Sequence, residues 1–286
     1  MITRTSFIGL ATLMAAAPGW GALIQFSGSG ASSAALLPTV SAYQSALGGA
    51  NNGTAACSPS PCTNGFRVIN WDGVPDAVAS PNAFSGTFFD GTAAPRARGA
   101  AFTTPGTGFQ VSANPGVAPV RFGNINATYS SIFITFSAER LFTPIGSNVT
   151  DVFFFQAGSP SIAAFTSGFG AVFTNVTLSS TSSVQFFDAN NASLGQIFAT
   201  SAPGGLSFAG GLFNAGERVG RVRITSGNTA LGPNDGPGAN VVALDDFIFG
   251  EPQAIPEPSS IVLAGAGLAL MSLVNRRRRQ LRLDVA

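Results

Sequence analysis

The sequence predicts an all-β fold, an antiparallel β-sandwich or jelly-roll-like domain with one short N-terminal helix. Three observations predict it. From Phe66 onward, short runs rich in Phe, Val, Ile and Thr alternate with turns of Gly, Pro, Asn and Asp. No helical stretches separate these runs, as a parallel α/β sheet would require. Hydrophobic residues make up 45% of the 286 and charged residues 9%, a balance that buries a core and does not describe a disordered chain. The polar surface must then come from Ser, Thr, Asn, Gly and Gln.

The N-terminus predicts a secretory signal peptide over residues 1–21. Arg4 supplies the positive end, Phe7 to Ala17 the apolar segment, and Gly19-Trp20-Gly21 puts small residues at the −3 and −1 positions for cleavage. The alternative is a buried N-terminal helix. A signal peptide implies the secretion machinery and a signal peptidase as partners.

Residues 22–252 form the predicted exported domain, large enough for one sandwich with a real core. It opens with a helix over Ser32 to Gly48, with Pro38 in its first turn and Val40, Tyr43, Ala46 and Leu47 near one face. Gly48-Gly49 stops it, and it is expected on the edge or end of the sheet. Cys57 and Cys62 are the only cysteines. In an exported chain the pair predicts a disulfide closing a short loop, whereas a metal site would need more ligands and there is no histidine.

Predicted strands follow at Phe66–Trp71, Ala83–Phe89, Gly108–Ala113, Ile132–Ser137, Asp151–Gln156 and Gly170–Leu178. Ser183–Phe187, Leu194–Thr200, Ser207–Phe213, Val219–Thr225 and Val241–Phe249 complete the series. Asp188 to Asn191 is a hairpin turn. Val219 to Ile224 alternates with Arg221 and Arg223 outward, and Phe153-Phe154-Phe155 predicts a strand covered on both faces.

The segment 253–286 has three parts: Pro256-Glu257-Pro258, an apolar run from Ile261 to Val274, and Arg276, Arg277, Arg278 and Arg279. The run falls short of the roughly 20 residues a spanning helix needs, but flanking residues extend it and arginines snorkel to headgroups. The arginines mark the cytoplasmic side. A transmembrane helix is therefore predicted, with everything before Pro256 outside.

This tail resembles the PEP-CTERM sorting signal of Gram-negative bacteria. The resemblance implies an exosortase-type transpeptidase as partner, a membrane stage, then release to the cell surface or outside. A plain C-terminal anchor is the alternative. Some collections call such a tail an "ice-binding protein C-terminal" domain, yet regular Thr-x-Thr arrays are absent here. The body also resembles a group of uncharacterised PEP-CTERM proteins, over roughly Pro38 to Pro258. The shared text includes Ile69-Asn70-Trp71-Asp72-Gly73-Val74-Pro75-Asp76, Thr104 to Phe109, Phe186 to Asn190 and Arg223 to Ala230. It implies one continuous exported domain.

The whole chain carries a net charge of +1, but the basic excess lies in the tail. Between Leu23 and Glu251, eight arginines face eleven acids, so no basic surface supports nucleic-acid binding. With no histidine and no lysine, Ser-His-Asp, Cys-His and Ser-Lys catalysis are excluded. No phosphate-binding glycine motif is present. Carboxylates remain: Asp72, Asp76, Glu139, Glu217, Asp245 and Asp246, which a glycan hydrolase would have to pair across a cleft.

Calcium is the candidate cofactor, because it takes Asp, Asn and carbonyl oxygens. Asp235, in Asn234-Asp235-Gly236, and Asp245-Asp246 before the last long strand are its candidate ligands. Adjacent aspartates on a strand point to opposite faces, and they can equally cap a turn or pair with Arg221 or Arg223. Asp72 and Asp76 are a second set. Trp71, the only tryptophan of the exported domain, either lines a binding surface or sits at a buried edge. The function expected is a non-enzymatic surface or matrix protein associated with exopolysaccharide. The alternatives are a calcium-dependent lectin-like module and a secreted glycan hydrolase.

Overall fold

The computed structural model describes residues 23–57, 62–255, 265, 267–268 and 270–272. The predicted signal peptide, Pro256-Glu257-Pro258 and Arg276–Arg279 lie outside the described residues. Within the predicted apolar run the described positions are helical, and Leu268, Leu270 and Met271 are 63–71% exposed. Among the described residues no helix is long and apolar enough to cross a membrane.

The chain begins with β1 (Ile24–Gly30), α1 (Ser33–Leu47), β2 (Phe66–Ile69), β3 (Ala100–Thr103) and β4 (Gly108–Val111). After the single helical turn α2 (Tyr129–Ile132) come β5 (Phe142–Ile145), β6 (Val149–Gln156), β7 (Ser159–Phe165) and β8 (Gly168–Val176). The last strands are β9 (Ser183–Phe187), β10 (Ser193–Phe198), β11 (Ala202–Leu212), β12 (Arg221–Thr225), β13 (Ala243–Gly250) and β14 (Gln253–Ala254).

They form two seven-stranded antiparallel sheets. One runs β1-β11-β8-β13-β5-β4, with β2 also paired to β13; the other runs β10-β9-β12-β6-β7-β14, with β3 also paired to β6. This is the predicted all-β sandwich. Its inter-sheet core contains Trp71, Phe102, Phe142, Phe154, Phe169, Phe186, Phe247 and Phe249 among others.

The helix corrects one expectation. It lies on the outer face of the first sheet and not at an edge, burying Leu36, Val40 and Tyr43 against Val172, Phe208 and Ile248. Each such side chain contributes about 1.5–3 kcal/mol on leaving water. Ser32 caps the start by accepting from Ala35 N at 3.4 Å, and Gly48 ends the helix at φ 77°. Pro38 sits inside the helix and not in its first turn. Close approach is possible because Gly170 and Gly210 pair across β8 and β11. A Cβ on Gly170 would fall 2.5 Å from Phe208 Cζ.

The strand covered on both faces is therefore not the Phe153–Phe155 run. β8 and β13, between helix and second sheet, are buried at every residue. In β6, Phe154 faces the core while Phe153 and Phe155 are only half-buried on the uncovered face. β12 alternates as predicted, with Val222 and Ile224 buried. At the hairpin turn, Asp188 Oδ1 accepts from Asn190 N and Ala192 N, both at 2.8 Å.

Two predicted strands are absent among the described residues. Ala83–Phe89 is a series of turns with one bridge, Phe84 to Phe109, and its phenylalanines plug the core around Trp71. Ile132–Ser137 begins at the last residue of α2 and continues without pairing to a strand. Its amides go to side chains instead, Ile134 N to Thr174 Oγ1 at 3.0 Å and Phe136 N to Asp245 Oδ2 at 2.6 Å. β1, β3, β5 and β7 are present where no strand is predicted. Strand pairing continues through β14, and Ile255 N donates to Ala163 O at 2.9 Å, so the body's pairing reaches three residues into the segment 253–286.

Candidate functional site

β13 carries a buried carboxylate group at each end. At its start, Leu244 and Phe247 pair with Phe173 and Ala171 of β8. Three steps on one strand thus face two on the other, a β-bulge at Asp245-Asp246. The bulge overturns the expectation that the two side chains point apart. Ser137 Oγ donates to Asp246 Oδ1 at 2.7 Å and lies 3.3 Å from Asp245 Oδ1. Trp71 Nε1 donates to the Asp245 carbonyl at 2.8 Å.

Trp71 is 1% exposed and stacks on Phe142 at 4.2 Å, so it is a central core residue rather than an edge or a sugar platform. Its φ of 65° is a left-handed conformation that costs a bulky residue energy, and it delivers the following residue, Asp72, to the same region. Asp72 Oδ1 accepts from Arg140 N at 3.0 Å.

These groups disfavour negative charge. Burial, followed by the Asp246 charge, holds the Asp245 carboxyl well above the ordinary carboxylate range. Burial raises Asp246 to about 6 and also raises Asp72. The cation facing Asp246 is Arg98, itself lowered to about 10 by burial and by Arg67, and the one facing Asp72 is Arg140. Ser137 has one proton to donate between two carboxyls. A shared proton on the Asp pair is what this geometry accommodates.

The other predicted acids go elsewhere. Asp235 accepts from Tyr129 Oη at 2.8 Å and lies 3.5 Å from Asn126 Nδ2; the structure does not bring it into the polar contacts of Asp245 and Asp246. Arg221 and Arg223 pair with Asp151, at 2.7 Å each, and not with the Asp pair. Asp76 is bonded to the buried Arg140, Glu139 pairs with Arg121 at 3.5 Å, and Glu217 caps its own turn at Ala215 N. Of the second calcium set, Asp72 approaches the Asp pair and Asp76 does not join it.

At the other end of β13, Glu251 accepts from Arg67 Nε at 2.7 Å, from Arg67 Nη2 at 3.0 Å and from Asn52 Nδ2 at 2.8 Å. Arg67 also donates to Ala55 O at 2.9 Å and Ala97 O at 3.1 Å, and its Nη2 lies 3.4 Å from Cys57 Sγ. Cys57 and Cys62 form the predicted disulfide. Among the described residues, Cys57, Cys62 and Glu251 are the one trio of ligand-type side chains with donor atoms within 4.8 Å of one another, and the disulfide engages both sulfurs. Sequence reasoning missed Arg67–Glu251. The available signal was a charge inside the apolar Phe66-Arg67-Val68-Ile69 and another directly after Phe247-Ile248-Phe249-Gly250.

An open concavity of about 550 Å³ lies at the sheet end, lined by Phe84, Phe109, Gln110, Ile125, Leu231 and Pro233 among others.

Residues 254–279 match the PEP-CTERM protein-sorting motif. A motif of this kind implies export, a transient membrane anchor and processing by an exosortase, after which the protein is at the surface or extracellular. No curated protein and no solved structure matches the chain.

Proposed function

We propose that this exported protein serves a non-enzymatic, structural or binding role in an exopolysaccharide-associated surface or matrix layer. The observation that carries the proposal is the sorting motif at 254–279, joined directly to a folded β body. Support comes from the acids a glycan hydrolase would need: Asp76, Glu139 and Asp151 are each engaged by arginine, and Asp245 and Asp246 are buried. In the native host, full-length protein should fractionate with the surface or matrix polymer, and protein lacking residues 256–286 should not. Identical fractionation of the two defeats the proposal. N-terminal sequencing of the mature form should begin at Ala22 if residues 1–21 are a signal peptide.

The calcium-dependent lectin-like alternative draws on Asp245, Asp246 and the neighbouring Asp72. Calorimetry of the purified chain with Ca²⁺ decides it, since a bound ion raises the unfolding midpoint with concentration.

A further inference from the structure

The sorting match begins at residue 254, while backbone pairing of the folded body continues to Ile255. Ala254 and Ile255 therefore belong to both. We propose that Gln253–Ile255 is a releasable strap that restrains the sorting motif against β7, set by the Cys57–Cys62 disulfide. The proposal rests on the exosortase-sorting reading of the tail.

The two sides of the exit differ in strength. Glu251 is a fixed point: its side chain is 3% exposed, Arg67 is fully buried, and the ion pair between them is bidentate. Breaking such a pair leaves an uncompensated buried charge. Beyond it, β14 is two residues long, pairing Gln253 with Phe165 and Ala254 with Ala164. Its partner β7 is buried at Ala164 but exposed at Ala163, where Ile255 N donates, so water competes for that last bond.

The Gln253 side chain reinforces the strap twice, and one of its bonds, Nε2 to Glu251 O at 3.3 Å, reaches the fixed point itself. Gln253 Nε2 also donates to Cys62 O at 2.9 Å. The disulfide joins Cys62 to Cys57, which Arg67 holds. An oxidised pair thus connects the strap to the fixed point, and a reduced pair leaves Cys62 linked to it only through the chain. A transpeptidase must take up an extended segment around its motif. Residues already paired to β7 are not available to it, and peeling four residues, 252–255, adds about 13 Å of extended reach.

The test uses the full chain in two measurements. Hydrogen exchange at Ile255 N is followed in the purified oxidised protein, in Gln253→Ala, and after reduction by a dithiol. The reagent's two thiols close into a cyclic disulfide as Cys57 and Cys62 take up two electrons and two protons. Exchange should rise at least about tenfold in both cases while Phe247 and Phe249 keep their protection; unchanged exchange overturns the strap. Pulse-chase in the native host then follows maturation, where Gln253→Ala should mature at least about threefold faster than the unaltered chain. Cys57→Ser/Cys62→Ser should do the same, and Gln253→Ala answers the question if that variant fails to fold. Equal or slower maturation overturns the restraint. If the unaltered chain never matures, the sorting reading falls and the restraint with it, whatever exchange at Ile255 shows.

Discussion

The two ends of β13 show two ways of burying a carboxylate on one strand. At Glu251 a bidentate arginine meets the charge, and Asn52 occupies a further lone pair. At Asp245-Asp246 two acids crowd one serine hydroxyl, with Arg98 as the facing cation. Asp245, Asp246 and Glu251 are all buried, so burial alone does not separate the two ends. What differs is whether the fold supplies a guanidinium in hydrogen-bonding reach or leaves a proton to do the work. The second end, with its raised carboxyls, ties stability to pH.

The largest effect should come from breaking the paired end. Arg67→Met leaves Glu251 buried without its partner and should cost about 3–5 kcal/mol in urea unfolding. Adding Glu251→Gln should recover a substantial part; if it recovers nothing, the ion pair is not the source of the loss. Next is Trp71→Phe, which strips the Asp245 carbonyl at the bulge of its donor and should cost about 1–3 kcal/mol by the same measurement.

The proton-holding end is tested by pH. Folding raises Asp246 from the ordinary 3.8 to about 6, so the native state keeps a proton that the unfolded chain releases first. That contribution is complete below about pH 4 and is lost as pH rises through about 6. Asp245, also raised by burial and by the Asp246 charge, adds to the loss in the same direction. Unfolding free energy should therefore decline between pH 4 and 7 from these groups. Asp246→Asn should flatten the slope and gain about 1–2 kcal/mol at pH 8; an unchanged slope would remove the contrast between the two ends. The smallest effect belongs to the outer face: Arg223→Ala, at a 43% exposed side chain, should cost about 1 kcal/mol or less.

Much of the fold was legible in the sequence because most strands bury one face and write their period into it. Ser183–Phe187 was found to the residue, and Val222 and Ile224 gave the alternation of β12 away. The failures have physical causes. Phe84, Phe88 and Phe89 have strand-like composition, but they fill the core from turns. Phe133 and Ile134 precede a backbone whose amides are taken by Thr174 and Asp245. β1 and β7 are rich in Ser, Gly and Ala, and pairing rather than side-chain preference makes them strands. At the candidate site, Asp245 and Asp246 stood out as residues, yet no local signal shows that a bulge turns both toward Ser137. That arrangement depends on a register set by β8, more than 70 positions away in sequence.

The shared residues at 254 and 255 bear on how the tail can be transplanted. A foreign cargo fused directly before Pro256 would carry the signal without the pairing edge that β7 provides here, so its tail would hang free from the start. A trimmed body ending at residue 252 would lose its last paired strand and leave β7 as an open edge, an invitation to pair with a second molecule. Cutting after Ile255 keeps that edge closed. For this protein, address label and cargo overlap by two residues, and neither can be lifted out cleanly without them.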